Sequence, residues 1–172
     1  RIGKKLSGKI LDFGTGSGAI LISLCMKNKL WNGIGLDKSG DAIDLANQNK
    51  SFHKLENVRF KKFDWDNQKL EKSYDIIVSN PPYLSIQEWN DAESEVKLYD
   101  PKIALVSTGG TTALLKIIEH AKNNLHKDGI IALETGLGHK TTLIPKMEGH
   151  FHKIEVIKDF SNRERFIIAR KI

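Results

Sequence analysis

The sequence predicts a doubly wound α/β fold built on a mostly parallel sheet of seven strands. Three observations support this prediction. Apolar runs typical of strands alternate with apolar residues at helical spacing, a glycine cluster follows the first strand, and two strand-like segments close the chain. Alternation of this kind places helices on both faces of a parallel sheet, with right-handed crossovers. The two last strands predict a C-terminal antiparallel hairpin.

Each element follows from its own local pattern. Short apolar runs next to turn-forming residues predict strands at residues 9–13, 33–36, 58–63, 74–79, 130–134, 153–158 and 165–170. Apolar residues three or four positions apart predict helices at residues 18–27, 41–50, 111–125 and, despite Pro145, 140–147. The stretch from Tyr83 to about Gly110 shows neither pattern. Irregular segments of this length in a domain are usually functional or form a lid.

The composition is that of one globular domain. The 172 residues are 40% hydrophobic and 28% charged, with a formal net charge of +6, and the first two values are ordinary. No apolar run approaches the roughly 20 residues that cross a bilayer. A single cysteine, Cys25, excludes an intrachain disulfide. We therefore expect a cytoplasmic monomer without membrane contact, whose scattered lysines form a solvated surface.

In a doubly wound sheet, ligands bind beyond the carboxyl ends of the strands, at the switch point. The residues that follow the predicted strands are therefore the candidates for a binding site. They are residues 12–18, Asp37, the Asp64-Trp65 pair, residues 80–83 and Glu134.

The glycine loop after the first strand predicts a cofactor site. Glycine lets the backbone turn tightly and approach a ligand closely, and the N–H groups at the start of a helix favour polar or anionic ligand atoms. Two interpretations fit the spacing: a G-x-G-x-x-G/A dinucleotide pattern ending at Ala19, or the D-x-G-x-G-x-G pattern of S-adenosylmethionine enzymes, which begins at Asp12. The predicted loop contacts are Gly14, Thr15, Gly16, Ser17 and Gly18.

Three residues after the next two strands extend this site. Asp37 ends the second strand, where a carboxylate can accept hydrogen bonds from both ribose hydroxyls of either cofactor. Asp64 can accept from an adenine amino group, and the Trp65 ring can stack on the base. The alternatives are a helix-start charge for Asp37, a loop aspartate for Asp64 and a core tryptophan for Trp65.

The Asn-Pro-Pro-Tyr segment (Asn80, Pro81, Pro82 and Tyr83) favours one chemistry. Two prolines fix two φ angles and remove two N–H donors. The Asn80 side chain and the Pro81 carbonyl can then act as rigid acceptors, and Tyr83 offers a flat face. This arrangement suits a planar group that bears N–H hydrogens, and it needs no metal. A rigid Pro-Pro turn without a ligand is the structural alternative.

With these motifs, the chain resembles the HemK/PrmC family of protein-glutamine methyltransferases. The resemblance covers nearly the whole chain. It rests on DFGTGSGAI, GLD, FDW, YDIIVSNPPYL, DPKIAL and the C-terminal RERFIIARK. It implies a Rossmann-like methyltransferase fold, S-adenosyl-L-methionine as cofactor, and methylation of the glutamine in the Gly-Gly-Gln loop of peptide chain release factors.

The resemblance also implies roles for individual residues. The loop from Gly14 to Gly18 would line the cofactor, Asp37 would hold its ribose and Trp65 would border the adenine. Asn80 would touch both cofactor and substrate, and Tyr83 would pack on the substrate amide. Residues 1–172 would be the catalytic domain, and the N-terminal substrate-docking domain of the family would be absent from this chain.

Three other functions compete with this interpretation. A methyltransferase for the exocyclic amine of adenine in DNA or RNA could use the same Asn-Pro-Pro-Tyr segment on a flipped base, and nucleic acid would be a partner only in that case. An NAD-dependent oxidoreductase would leave residues 80–83 unexplained. An inactive cofactor-binding module would not need them.

Overall fold

The computed structural model describes residues 6–70, 73–81 and 111–172. Its elements alternate along the chain: β1 (Gly8–Phe13), α1 (Ala19–Lys27), β2 (Trp31–Asp37), α2 (Gly40–Phe52), β3 (Val58–Lys62), β4 (Tyr74–Ser79), α3 (Thr112–Asn124), β5 (Leu125–Glu134), α4 (Lys140–Met147), β6 (Phe151–Lys158) and β7 (Glu164–Lys171). Pro82, Tyr83 and the irregular stretch up to about Gly110 lie outside the described residues.

The strands form one sheet in the order β3-β2-β1-β4-β5-β7-β6. The first five strands pair in parallel, whereas β7 runs antiparallel between β5 and β6. The chain winds outward from β1 to β3, and β4 then returns to the other side of β1. This reversal creates a switch point between β1 and β4. The predicted doubly wound fold and its C-terminal hairpin are confirmed.

The sheet separates two apolar cores. On one face, Leu11 and Phe13 of β1 pack in a cluster that includes buried residues of α3 and α4. On the other face, Ile10 packs in a cluster with residues of α1 and α2. Alternate side chains of a strand point to opposite faces, so β1 contributes to both cores. A strand that is buried on both faces has a nearly continuous apolar sequence. For this reason β1 could be predicted from the sequence.

The helices are short and follow the predicted pattern closely. Ser39 caps α2, since its hydroxyl accepts from the Ala42 N–H at 3.3 Å, which satisfies one free donor of the first turn. Pro145 lies on the exposed side of α4, and that helix continues to Met147. Among the helices of the described ranges, none is long and apolar enough to span a membrane.

The start of β5 differs from the prediction. Leu125, assigned to the preceding helix from its spacing, pairs with Tyr74 of β4 and begins the strand. The pairing then shifts, Asp128 has a left-handed φ of 61°, and regular pairing resumes at Ile130. Burial of the Leu125 side chain draws this segment into the sheet. The local sequence, rich in polar residues and glycine, resembles a turn and hid the earlier start.

Both outer strands carry charged residues, and β6 is also irregular. β3 exposes Lys61 and its pairing ends at Lys62. In β6, Lys153 has a left-handed φ of 50°, and the pairing with β7 shifts between His152 and Glu155. Lysines and bulges of this kind reduce the tendency of an edge strand to pair with another chain.

Gly35 of β2 fills a space that admits no side chain, and this provides a test of the packing. A Cβ at Gly35 would lie 2.6 Å from Phe60 Cε1 and 2.7 Å from Thr15 Oγ1. We expect Gly35→Ala to lower the free energy of unfolding by about 1–3 kcal/mol, the usual range for overpacking a core. Chemical denaturation would measure this loss.

Gly40 provides the matched control, because a Cβ there meets no atom within 4 Å. Gly40→Ala lies at the first residue of α2, where alanine is at least as good a helix former as glycine. Equal stability of the Gly35→Ala and Gly40→Ala proteins would contradict the described packing of Phe60 over β2.

Candidate functional site

The glycine loop (residues 14–18) connects β1 to α1 through left-handed backbone. Gly14, Gly16 and Gly18 have φ angles of 66°, 53° and 80°, which residues with a Cβ rarely adopt. A Cβ added at Gly16 would meet no atom within 4 Å, so this part of the loop faces open space. The loop can therefore receive a ligand close to its backbone.

Hydrogen bonds from neighbouring elements hold the glycine loop in place. The Gly16 N–H donates to Asp37 Oδ2 at 2.9 Å, and the Thr15 N–H donates to the Leu36 carbonyl at 3.0 Å. From α2, Asn49 Nδ2 donates to the Ser17 carbonyl at 2.9 Å. These bonds connect the loop to β2 and α2, so its shape exists before any ligand binds.

Asp37 lies at the end of β2, as predicted, and both of its oxygens accept backbone hydrogen bonds. In addition to the bond from Gly16, its Oδ1 accepts from the Ser39 N–H at 2.9 Å. Each carboxylate oxygen has a second acceptor position, so two ribose hydroxyls can still bind. The helix-start role considered as an alternative is thus present in the structure, and the ribose role stays a prediction.

Asp12 lies among the candidate residues after β1 and begins the glycine pattern, but the sequence assigned it no contact with a ligand. Its side chain is 1% exposed, and its Oδ2 accepts from the Thr15 hydroxyl at 2.7 Å. Within the described structure, its Oδ1 has no hydrogen-bond partner. Burial raises the pKa of Asp12 to about 7; the Thr15 hydrogen bond opposes this rise, and the nearby charge of Asp37 adds to it.

Trp65 and Asp64 lie in the loop after β3, with different environments. The Trp65 ring is 9% exposed and meets Phe13 edge to face, with 6.0 Å between the ring centroids. Asp64 faces its own loop: its Oδ1 accepts from the Asp66 N–H at 3.1 Å and its Oδ2 from Asn67 Nδ2 at 2.6 Å. The adenine roles of both residues stay predictions.

The end of β4 lies beside the glycine loop. The Ser79 hydroxyl donates to the Phe13 carbonyl at 2.7 Å and so joins the ends of β4 and β1. Asn80 follows and is exposed, whereas Pro81 is buried. The Asn80 side chain is thus available to a bound molecule at the switch point.

Gly14 is the point where three of the predicted regions meet. A Cβ at Gly14 would lie 3.8 Å from Pro81 Cα and 4.0 Å from the Trp65 ring. The glycine loop, the Trp65 ring and the first residues of the Asn-Pro-Pro-Tyr segment are therefore adjacent. Ser17 lies on the α2 side of the loop, where its carbonyl accepts from Asn49, and Pro82 and Tyr83 lie outside the described residues.

Comparison with known proteins identifies the family. The family described as "Methyltransferase domain" matches residues 4–163. The chain belongs to this family. The solved structure of TrmN from Thermus thermophilus shares the methyltransferase's fold, with a TM-score of 0.69 at 18% identity over 96% of this chain and 44% of that chain. S-adenosylmethionine, which the family resemblance implied and which was one of the two interpretations of the glycine loop, is accordingly the methyltransferase's cofactor.

Two curated relatives are more similar in sequence to the methyltransferase than TrmN is. A protein named release factor glutamine methyltransferase from Buchnera aphidicola is 36% identical over 98% of this chain and 61% of its own length. A protein of the same name from Fusobacterium nucleatum is 37% identical over 94% of this chain and 47% of its own length. The chain thus spans about half to three-fifths of these relatives.

The residues of the site fit this cofactor. The left-handed loop faces open space at Gly16, the Asp37 carboxylate suits ribose hydroxyls, and the buried Asp12 oxygen without a partner suits a positively charged or donor group. The sequence contained one signal for Asp12, because a carboxylate inside the apolar run KILDF has to be buried with its strand. Periodicity alone did not reveal its unsatisfied oxygen.

Asp12 predicts a specific dependence of stability on pH. Its pKa is raised in the folded protein, so its protonated form stabilises the fold below about pH 4, and this contribution is lost as the pH rises to about 7. Asp12→Asn cannot ionise. Relative to wild type, we expect its free energy of unfolding to increase across this range by a few kcal/mol, since one pKa unit is about 1.4 kcal/mol.

Denaturation of both cofactor-free proteins from pH 4.5 to pH 8.5 would measure this difference. Above about pH 7.5 the difference should become constant, because Asp12 is then ionised in both the folded and the unfolded wild-type chain. If the free energies of unfolding of the two proteins changed with pH in the same way, the pKa of the Asp12 carboxyl would not be raised as described.

Proposed function

We propose that this methyltransferase transfers the methyl group of S-adenosylmethionine to the side-chain amide nitrogen of a glutamine in peptide chain release factors. The observation that carries the proposal is the position of Asn80 and Pro81 at the switch point, where Pro81 lies against Gly14. Relatives that are 36% and 37% identical bear the name release factor glutamine methyltransferase, which supports this substrate.

The proposed reaction needs the substrate nitrogen to be aimed at the methyl group. When bound, S-adenosylmethionine supplies a methyl group on a positively charged sulfur. An amide nitrogen attacks poorly because its lone pair is delocalised. We propose that the Asn80 side-chain oxygen and the Pro81 carbonyl accept its two N–H hydrogens and orient the lone pair. As the bond from nitrogen to the methyl carbon forms and the sulfur–methyl bond breaks, these fixed acceptors would stabilise the positive charge that develops on the nitrogen, which then releases one proton to water.

The surroundings of Asn80 favour accurate orientation. The Ser79 hydroxyl fixes the end of β4 to the Phe13 carbonyl, and the φ angle of Pro81 is restricted by its ring. The acceptors therefore start from a backbone with little freedom. Holding reacting groups in a near-attack geometry can contribute about 7–11 kcal/mol in the most favourable intramolecular reactions. The proposed stacking of Tyr83 on the amide would add to this orientation.

We also propose the finer features of the substrate and of the protein. The substrate glutamine would belong to the Gly-Gly-Gln loop, and an enzyme that acts on release factors would work in the cytoplasm, where translation takes place. Residues 1–172 would form one catalytic domain. A monomer is supported by the charged outer strands, where Lys61 and Lys153 disfavour edge-to-edge pairing. Light scattering of the purified chain would test the monomer.

A methyl-transfer assay with labelled S-adenosylmethionine tests the substrate directly. Purified release factor and, separately, adenine-containing nucleic acid would be offered to the chain. We expect label on the release factor glutamine, located by mass spectrometry of its peptides. Label on nucleic acid alone would replace the proposal with methylation of the adenine amine, for which the net charge of +6 is the favourable observation.

Asn80→Ala tests the proposed orientation of the substrate. We expect the variant to keep most of its cofactor affinity, measured by calorimetry, and to lose methyl transfer by about 10²- to 10³-fold, as when a preorganised hydrogen bond to the transition state is removed. Asn123→Ala is the control, because Asn123 is an exposed asparagine of α3 that bonds Glu119 of its own helix. Near-normal turnover of Asn80→Ala would show that Asn80 does not orient the substrate.

A further inference from the structure

α3 directs a stripe of polar side chains at the segment after β3, residues 64–70, which we call the Trp65 loop. Lys116, His120 and Asn124 are four residues apart and so lie along one face of the helix. Lys116 forms an ion pair with Asp66, in the middle of the Trp65 loop. Each of three successive turns of α3 thus contributes one side chain that can bind this loop.

The other two contacts of the stripe are to backbone carbonyls. His120 Nε2 donates to the Trp65 carbonyl at 2.9 Å, and Asn124 Nδ2 donates to the Leu70 carbonyl at 3.2 Å. A side chain that donates a hydrogen bond to a backbone carbonyl constrains the path of the main chain directly. The contacts at Trp65 and Leu70 therefore fix the Trp65 loop near both of its ends.

A second anchor comes from the end of β2. Lys38 forms ion pairs with Asp66 and, at 3.1 Å, with Asp64. Its Nζ also lies 4.9 Å from the centroid of the Trp65 ring, within the range of a cation–π contact. The Lys116 ammonium and then Lys38 lower the pKa of Asp66. Asp66 therefore stays ionised and joins β2 to α3.

His120 also contacts the aromatic group that holds the Trp65 ring. The His120 and Phe13 rings lie with centroids 5.3 Å apart, and Phe13 meets Trp65 edge to face. The Trp65 ring in turn lies beside Gly14 of the glycine loop. His120 thus acts on the backbone of Trp65 directly and on its ring through Phe13.

We propose that His120, with Lys116 and Asn124, positions Trp65 for binding the adenine end of the cofactor. The inference rests on the proposed role of Trp65 beside the adenine. Without the His120 donor, the Trp65 carbonyl would lose its described partner and the loop would gain freedom, which cofactor binding would then have to remove. The affinity for the cofactor would fall, whereas the chemical step at Asn80 would be unaffected.

The test compares two substitutions at His120. Calorimetry would measure the binding of S-adenosylhomocysteine to each cofactor-free protein. We expect His120→Leu to bind about tenfold more weakly, because the partly buried hydrogen bond to the Trp65 carbonyl is lost. His120→Gln keeps an N–H donor near the Nε2 position, and we expect its affinity within about twofold of wild type. With saturating S-adenosylmethionine, kcat of both variants should remain near the wild-type value.

Two further variants keep the test independent of folding. Glu119→Gln alters an exposed side chain that forms an ion pair with Lys122 on the same helix at 3.1 Å, and should bind like wild type. Lys116→Met alters a half-exposed side chain and should bind about two- to threefold more weakly, since exposed ion pairs contribute little. Its affinity should also depend less on salt, because one screened ion pair is gone.

The outcomes separate this inference from the proposed function. Wild-type affinity of both His120→Leu and Lys116→Met would overturn the inference while leaving the cofactor site intact. An equal loss in His120→Gln and His120→Leu would also overturn it, because the His120 N–H, on which the inference depends, would then contribute nothing to cofactor binding. If wild type itself binds no S-adenosylhomocysteine, the proposed function fails first.

Discussion

The fold and the site both depend on the burial of β1 between β2 and β4. Leu11 and Phe13 are fully buried on one face of the sheet, and Ile10 is nearly so on the other. Because both faces are covered, the register of β1 cannot slip without exposing one set of apolar side chains. The end of β1, and with it the start of the glycine loop, is therefore fixed. The same burial encloses the Asp12 carboxyl in an apolar environment.

Polar contacts around the site order its loops before a ligand arrives. Asp37 holds Gly16, Asn49 holds Ser17, and the α3 stripe holds the Trp65 loop. Ordering a loop during binding consumes part of the interaction free energy, so a loop that is already ordered binds more tightly. Many of the polar residues near the site thus hold its loops in place. A bound ligand can add contacts to these residues without replacing the hydrogen bonds that they already make.

The sequence was sufficient to identify the seven strands of the sheet, because each strand leaves a local signal. The apolar runs, the glycine loop and the segment at Asn80 gave the element order, the switch point and the cofactor class. The methyltransferase family and the C-terminal hairpin followed as well. What the sequence did not reveal was the insertion of β7 between β5 and β6, since the hairpin pattern does not say which of its strands meets β5.

Other features escaped prediction because they join residues distant in the chain. His120 and Trp65 are 55 positions apart, and Lys116 and Asp66 are 50 apart. Local periodicity classifies His120 only as a polar residue on an amphipathic helix. The early start of β5 at Leu125 has the same origin, because its pairing with Tyr74 outweighs a turn-like local sequence. The burial of Asp12 could be inferred from its strand, but the missing hydrogen-bond partner of its Oδ1 could not.

The charged outer strands have a consequence for how this chain folds. β1 pairs with β4, whose residues lie 66 positions further along, and parallel sheets with such distant contacts form slowly. While the centre of the sheet assembles, the outer strands could pair with other copies of the chain and aggregate. The left-handed residue at Lys153 and the exposed lysine at Lys61 oppose such pairing. The edges of the sheet therefore protect the nascent chain during the interval in which its core is incomplete.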